Sequence, residues 1–224
     1  MSYDEVDVLF KHSTPDTATH VRGNPLVAAL SQGRAGPAEV ARVVVGEFHA
    51  HAAEVAAFAT LAARCPVQPV AGYFVDLARL VLDCEAPLLA CAEALGLSEQ
   101  ELRHRQPARG MRDFGSFMSW LAMRAGPAEA AGAVRADLLL WCGSCAALAD
   151  ELTRHEAPLP QPVIDYFSLF QTPPERFIEE AREVAAYGLA QGEEPAAVER
   201  GIAQVEPVLS RFWAAAVQPS ASTN

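Results

Sequence analysis

The chain has 224 residues, of which 51% are apolar and 20% are charged; this composition excludes bulk disorder and predicts one large folded domain or at most two. The 17 basic and 28 acidic residues give a formal net charge of −11, which argues against a nucleic-acid partner, because phosphate binding requires a cationic face. Five cysteines are too few for a secreted disulfide scaffold, and the acidic start is unlike a secretory signal. No run of about 18 uncharged apolar residues predicts a membrane span. We therefore expect a cytoplasmic protein with reduced thiols and no membrane association.

The pattern of apolar residues, glycines and prolines predicts helices throughout and no strands. The expected elements, in chain order, are a partly ordered segment 1–23, a short helix entered at Asn24-Pro25, long helices over about 37–64 and 69–95, a short helix capped by Ser98, helices over about 111–124, 128–155, 162–170, 175–190 and 195–217, and a frayed tail 218–224. The loops are short and no linker is visible. We therefore predict one all-α domain of seven to nine helices over residues 24–217.

The helix predicted over 37–64 carries a group of polar side chains on its apolar side. His51 continues the stripe formed by Phe48 and Val55, with Glu47 one turn before it and Glu54 three residues after it. Two interpretations are open: a metal half-site or acid/base group, and a partly buried histidine held by a carboxylate. A di-iron centre is not expected, because the sequence contains no Glu-x-x-His motif. We predict no metal and no cofactor.

Two cysteines, Cys142 and Cys145, lie one turn apart in the middle of a predicted helix. A redox pair favours a helix N-terminus, and zinc would need a second pair of ligands, so neither use is expected. The two thiols are either small buried apolar groups or include a nucleophile, which would need a base or cation nearby. Cys65, Cys84 and Cys91 are interpreted as structural.

Several aromatic residues either belong to the core or line a pocket for a flat ligand. They are Phe114, Phe117, Trp120, Phe167 and Phe170. Phe212-Trp213, with Leu209, is a bulky anchor on the last predicted helix.

Four of these places occur in an order that is typical of a known family. Asn24-Pro25-Leu26-Val27 is similar to a His-Pro-Phe opening, and Glu47 stands where the family has an Asp on its first long helix. The stretch 138–142 is similar to the Leu-Leu-Pro-Cys sequence that holds a nucleophile, and 211–214 matches a closing Phe-Trp motif. The chain thus resembles, over about 24–217, the TenA family of thiaminase II-type proteins, in the TenA/PqqC group with a haem-oxygenase-like fold.

The resemblance implies a homo-oligomer, a dimer or a tetramer, whose helical bundle holds a flat heteroaromatic molecule in a central pocket. In the family, the Cys attacks a pyrimidine ring carbon and displaces an amine or thiazole, the Asp supports the pyrimidine, and a Glu on the last helix handles protons. The resemblance therefore implies that Cys142 is the nucleophile and that Glu47 orients the ligand. The family's Glu is replaced by Leu209, so Glu206, one turn earlier, or His51 is expected to move protons.

The pocket tyrosines of the family correspond to Ala50 or His49, to Phe114 and to Ala146 in this sequence, so a more apolar pocket is expected. The predicted ligand-binding residues are His51, His49, Phe114, Cys145, Phe170 and Trp213. These changes predict a related enzyme acting on an altered heteroaromatic or amine-bearing substrate, in specialised metabolism rather than in ordinary thiamine salvage. Two alternatives stay open: a non-catalytic protein of the same fold that binds a small molecule or a partner, and a PqqC-like or metal-dependent oxidative enzyme supported by His49, His51 and Glu47.

Overall fold

The computed structural model describes residues 3–154 and 159–218, in which twelve α-helices and no β-strand are present. The helices are α1 (Tyr3–Ser13), α2 (Thr17–Arg22), α3 (Pro25–Ser31), α4 (Pro37–Arg64), α5 (Val70–Asp83), α6 (Glu85–Ala94), α7 (Glu99–His104), α8 (Arg109–Arg124), α9 (Pro127–Arg154), α10 (Gln161–Ser168), α11 (Glu175–Ala190) and α12 (Pro195–Val217). The all-α class is confirmed. Among the described residues nine helices have eight residues or more, as predicted, and α2, α3 and α7 are shorter. The predicted helix end at His155 and the predicted frayed tail after residue 218 lie outside the described ranges.

Local signals set most helix ends. The α4 helix begins at Pro37 and ends at Arg64, as expected from a proline in the first turn and the Cys65-Pro66 sequence that follows. Ser98 caps α7 as predicted, since its hydroxyl accepts the Glu101 N–H at 3.2 Å while the Glu101 carboxylate accepts the Ser98 N–H at 2.8 Å.

The single long helix predicted over 69–95 is wrong, because the chain forms α5 and α6 with a break at Cys84. Pro87 explains the break, since it has no N–H to donate and its ring would clash with the Asp83 carbonyl in a continuous helix. The break has a structural consequence, because Asp83, Cys84 and Pro87 all line a cavity in the bundle.

The segment before residue 23 belongs to the packed structure from residue 3 onward. It forms α1 and α2, and α1 lies against α11 and α12 with Val6 and Phe10 fully buried. Asp16 caps α2 by accepting the Thr19 N–H at 2.7 Å. The predicted boundary at residue 23 is therefore corrected to a turn between α2 and α3.

The long helices α4, α9 and α12 form the frame of the bundle. The α9 helix packs against α10, α11 and α12, and α4 packs against α5, α6, α8 and α12. Glycines allow α9 and α12 to approach closely: a Cβ on Gly132 would lie 2.8 Å from Val198 Cγ1, and one on Gly201 would lie 2.9 Å from Glu129 Cγ. Within the described part of the chain, α9 is the one helix long and apolar enough to cross a membrane, and 56% of that stretch is buried inside the bundle.

Candidate functional site

A cavity of about 330 Å³ lies between α4, α9 and α12 and opens between the α5–α6 break and the segment joining α10 to α11. Its lining residues are Glu47, His51, Glu54, Leu80, Val81, Asp83, Cys84, Pro87, Phe114, Asp137, Leu138, Trp141, Cys142, Leu169, Phe170, Thr172, Pro174, Leu209 and Phe212. The volume is typical of a site for a small organic molecule.

The walls of the cavity are largely aromatic. Trp141 lies at the centre, with its ring edge-on to Phe170 at 6.3 Å and to Phe212 at 5.8 Å between centroids. Phe114 and Phe170 line the cavity, as the predicted ligand-binding roles require. Trp213 is not a lining residue, because it lies behind Trp141 and stacks on it at 4.8 Å. Its role is therefore to hold the wall in place rather than to contact a ligand directly.

The polar groups of the cavity are mainly acidic. Glu47 and Glu54 face it from α4, Asp137 from α9 and the exposed Asp83 from the mouth, and no Lys or Arg lines it among the described residues. The predicted site omitted both aspartates. The available signal was Asp137 itself, a charged residue in a long apolar helix, five positions before Cys142. Across residues 3–154 and 159–218, no group of three His, Cys, Asp or Glu side chains is arranged to hold a metal ion.

The inner carboxyl groups titrate far from their ordinary range. Loss of solvent and the charge of Glu47 raise the pKa of Asp137 to about 7. Loss of solvent, then the charges of Asp137 and Glu47, raise the pKa of Glu54 well above its ordinary value. Near neutral pH, Asp137 is therefore close to half ionised. The Asp137 Oδ1 atom is buried without a hydrogen-bond partner within the described part of the chain.

Glu47 accepts a hydrogen bond from a tyrosine hydroxyl that was not among the predicted site residues. The Tyr166 hydroxyl on α10 donates a hydrogen bond to Glu47 Oε2 at 3.2 Å. The oxygen of this Tyr166 hydroxyl also lies 3.4 Å from His51 Nε2. His51 Nε2 is 3.6 Å from Glu47 Oε2. Tyr166 does not line the cavity itself but contacts two residues that do. Its position on a different helix, 119 residues from Glu47, left no local signal.

Two thiols face the cavity, and they are not the predicted pair. Cys142 lines it, and burial together with the charge of Asp137 raises the pKa of this thiol to about 12. Cys145, predicted as a ligand contact, is fully buried and does not line the cavity. Cys84, interpreted from the sequence as structural, does line it at the helix break, and burial and the charges of Glu47 and Glu54 raise its pKa to about 11. Both cavity thiols are therefore protonated at neutral pH.

Two predicted site residues lie elsewhere. Glu206 is not a lining residue: it accepts the Ser210 hydroxyl at 2.7 Å and lies 3.4 Å from His20 Nδ1 of α2, because Leu209 and Phe212 occupy the cavity side of α12. His49 is two positions from Glu47 and from His51, which turns it to the opposite face of α4, where its Nε2 lies 3.0 Å from the Arg105 carbonyl. Neither residue can contact a ligand in this cavity.

The comparisons with known proteins identify the fold. No protein-family model matches the chain, and no curated protein is significantly similar to it in sequence. A TenA homologue from Pseudomonas syringae pv. tomato str. DC3000 is structurally similar with a TM-score of 0.72 and 10% identity, over 95% of this chain and 92% of that one. A TenA homologue from P. horikoshii OT3 gives 0.76 and 13%, over 94% and 97%.

A third solved structure, a domain of unknown function with a haem-oxygenase-like fold from Shewanella denitrificans OS217, gives a TM-score of 0.70 and 12% identity, over 95% and 89% of the two chains. The chain therefore has a TenA-like, haem-oxygenase-like fold, and the resemblance predicted from the sequence is confirmed at the level of the fold.

Proposed function

We propose that this chain is an enzyme that displaces an amine from a small, positively charged heteroaromatic or amine-bearing substrate, with Cys142 as the nucleophile and Glu47 orienting the ligand. One observation carries the proposal: a single cavity combines two thiols, one of them Cys142, with four carboxyl groups and a wall of aromatic rings. The TenA-like fold supports the same type of chemistry, since the resemblance implies nucleophilic attack by this cysteine on a heteroaromatic ring.

The charge of the substrate follows from the lining. A cation would pair with Asp137 or Glu47, and its ring would lie against Trp141, where the indole face favours positive charge. An anion would meet uncompensated carboxylates instead. Because a bound cation favours ionised carboxyl groups, binding should lower the pKa of Asp137 and release protons near neutral pH. The affinity for a permanent cation should therefore rise as the pH rises through about 7.

The substrate is expected to differ from thiamine. The last helix faces the cavity only with Leu209 and Phe212, so it supplies no proton donor there. A polar ligand group left without a partner on this side would cost about 1–3 kcal/mol. A role in specialised metabolism agrees with such a change of substrate.

The test is a thermal-shift and native mass spectrometry screen with a charge series. The ligands are thiamine, aminomethyl-pyrimidines, benzylamine, benzyl alcohol and benzoate, run with the parent chain, with Cys142→Ala and with Cys145→Ala as the matched cysteine control. A ligand at a hundred times its Kd stabilises the fold by about 2.7 kcal/mol. We expect stabilisation by benzylamine and the aminomethyl-pyrimidines, less by thiamine and none by benzoate, and turnover that is lost in Cys142→Ala but kept in Cys145→Ala. Stabilisation by benzoate but not by benzylamine would exclude the proposed ligand class.

A second candidate function is non-catalytic binding of the same class of cation. The observation that favours it is the pKa of about 12 for Cys142, which leaves the thiol neutral and poorly nucleophilic at rest. The two candidates differ in one measurement, because a binding protein would return every stabilising ligand unchanged after long incubation. Hydrolysis of a stabilising ligand would exclude it. The PqqC-like or metal-dependent oxidative alternative depended on His49, His51 and Glu47, and it loses support because His49 faces away from the cavity.

We also propose that the chain forms a homo-oligomer, a dimer or a tetramer, in the cytoplasm, with a small molecule rather than nucleic acid as its partner. The net charge of −11 supports the last point. Native mass spectrometry at micromolar concentration tests the assembly, and a monomer throughout would contradict it.

A further inference from the structure

The last helix of the bundle contributes only apolar side chains to the cavity, whereas two facing helices contribute carboxyl groups. Glu54 comes from α4 and Asp137 from α9, the helix that also carries Cys142. A displacement at a ring carbon needs a base for the thiol proton and an acid for the departing amine. The Asp137 Oδ1 atom is buried and without a partner, so it has an unused acceptor site in the region where the thiol lies.

We propose that Asp137 and Glu54 are the acid/base pair of this cavity: Asp137 accepts the proton of Cys142, and Glu54 donates a proton to the leaving amine. This assignment rests on the proposed function for the reaction itself, but it concerns residues to which the sequence resemblance gave no role. Glu47 accepts the Tyr166 hydroxyl and Glu206 lies outside the cavity, so neither is free for this role. His51 Nδ1, like Asp137 Oδ1, is buried without a partner within the described residues, but His51 lies on α4, whereas Asp137 shares α9 with Cys142.

The step balances with water as the only co-reactant. The Cys142 sulfur forms a bond to the ring carbon while its proton moves to the Asp137 carboxylate. The bond from that carbon to the amine breaks with its electron pair on nitrogen, which takes the proton of Glu54. Water then adds its hydroxyl group to the ring carbon and gives its proton to Glu54, the carbon–sulfur bond breaks, and the sulfur recovers its proton from Asp137. The pair returns to its starting state.

The two carboxyl groups are suited to opposite roles by their surroundings. Loss of solvent, then the charges of Asp137 and Glu47, raise the pKa of Glu54 and favour its protonated form, whereas Asp137, with a pKa of about 7, is partly ionised at neutral pH and has an unused acceptor atom. The other titratable groups on this cavity are Glu47 and His51 of α4, Asp83 and Cys84 at the α5–α6 break, and Cys142 of α9, with Tyr166 of α10 behind Glu47. Among the described lining residues, α8, α11 and α12 add no titratable group, and no Lys or Arg lines the cavity beside Asp137.

The test for Asp137 is the rate at which iodoacetamide alkylates Cys142, followed by peptide mass spectrometry between pH 5.5 and 9. This readout needs no knowledge of the substrate. If Asp137 is the base, the parent rate should show an inflection near pH 7, and Asp137→Asn should lose it and react about tenfold more slowly or worse at pH 8. If Asp137 only repels the thiolate, Asp137→Asn should react faster, which would overturn the proposal, as would an unchanged rate.

Three controls keep this test specific. Asp150→Asn makes the same substitution on an exposed position of α9 and should leave the rate unchanged. Cys145, which is fully buried outside the cavity, should stay unmodified in the native protein. The parent pH profile needs no variant, so the absence of an inflection near pH 7 would overturn the assignment even if Asp137→Asn failed to fold.

The test for Glu54 is the carboxylic-acid C=O band in infrared difference spectra at pH 7.5. We expect the band in the parent and in Asp137→Asn and its loss in Glu54→Gln; a band unchanged in Glu54→Gln would overturn the acid role. The outcomes separate from those of the ligand screen. Failure of all cations to bind would end the proposed function and leave the alkylation and infrared results standing. An unchanged alkylation rate in Asp137→Asn would end the acid/base assignment and leave the dependence of turnover on Cys142 standing.

Discussion

Asp137 should make the stability of this protein depend on pH in a direction opposite to that of a salt-bridged carboxylate. Its pKa is raised from an ordinary 3.8 to about 7 in the folded chain. Between these values the folded state binds more protons than the unfolded state, so the free energy of unfolding falls as the pH rises. The full effect of about three pKa units is about 4 kcal/mol, of which about 2 kcal/mol falls between pH 5.5 and pH 8.

Asp137→Asn removes this titration while keeping the shape of the side chain. The difference in unfolding free energy, variant minus parent, should therefore increase by about 2 kcal/mol between pH 5.5 and pH 8. The assay is urea unfolding at both pH values, followed by the fluorescence of the three tryptophans. Asp150→Asn, at an exposed position on the same helix, controls for loss of charge alone. A difference that stays constant with pH, or falls, would refute the placement of Asp137 in an acidic, poorly solvated cavity.

Two further predictions use matched pairs of residues. Gly46→Ala should destabilise the fold by about 1–3 kcal/mol in urea unfolding, because the added Cβ would lie 2.8 Å from a methionine sulfur and 2.9 Å from a phenylalanine ring carbon. Gly115→Ala is the control and should be tolerated, because its Cβ would lie 3.6 Å from its nearest neighbour. Equal effects of the two substitutions would contradict the packing around Gly46. Tyr166→Phe should lower the free energy of unfolding by about 1–3 kcal/mol, because Glu47 loses its buried hydrogen-bond donor. Tyr73→Phe should be neutral or stabilising, because the buried Tyr73 hydroxyl has no partner within the described residues. The reverse order of stability in thermal unfolding would contradict this assignment.

Features that depend on neighbours along the chain can be predicted from the amino-acid sequence. The ends of α4 and α7 follow from Pro37 and from the Ser98 capping box, and both agree with the structure. The all-α class follows from the same periodic pattern of apolar residues. On the site, the spacing of Glu47 and His51 correctly places them on one face of α4, because helical geometry alone puts residues four apart on the same side.

Which side chains meet depends on the packing of the helices. Asp137 and Glu54 are 83 positions apart, and only the packing of the bundle brings both to one cavity, where their surroundings shift their pKa values. The same holds for Tyr166 and Glu47, which pair across 119 positions. Glu206 shows the converse, since a favourable position one turn from Leu209 does not say which neighbouring helix the side chain will face. Helix propensity and capping are local interactions, whereas the charge, solvation and shape of a cavity are properties of the assembled bundle, and the chemistry of this site depends on the second group.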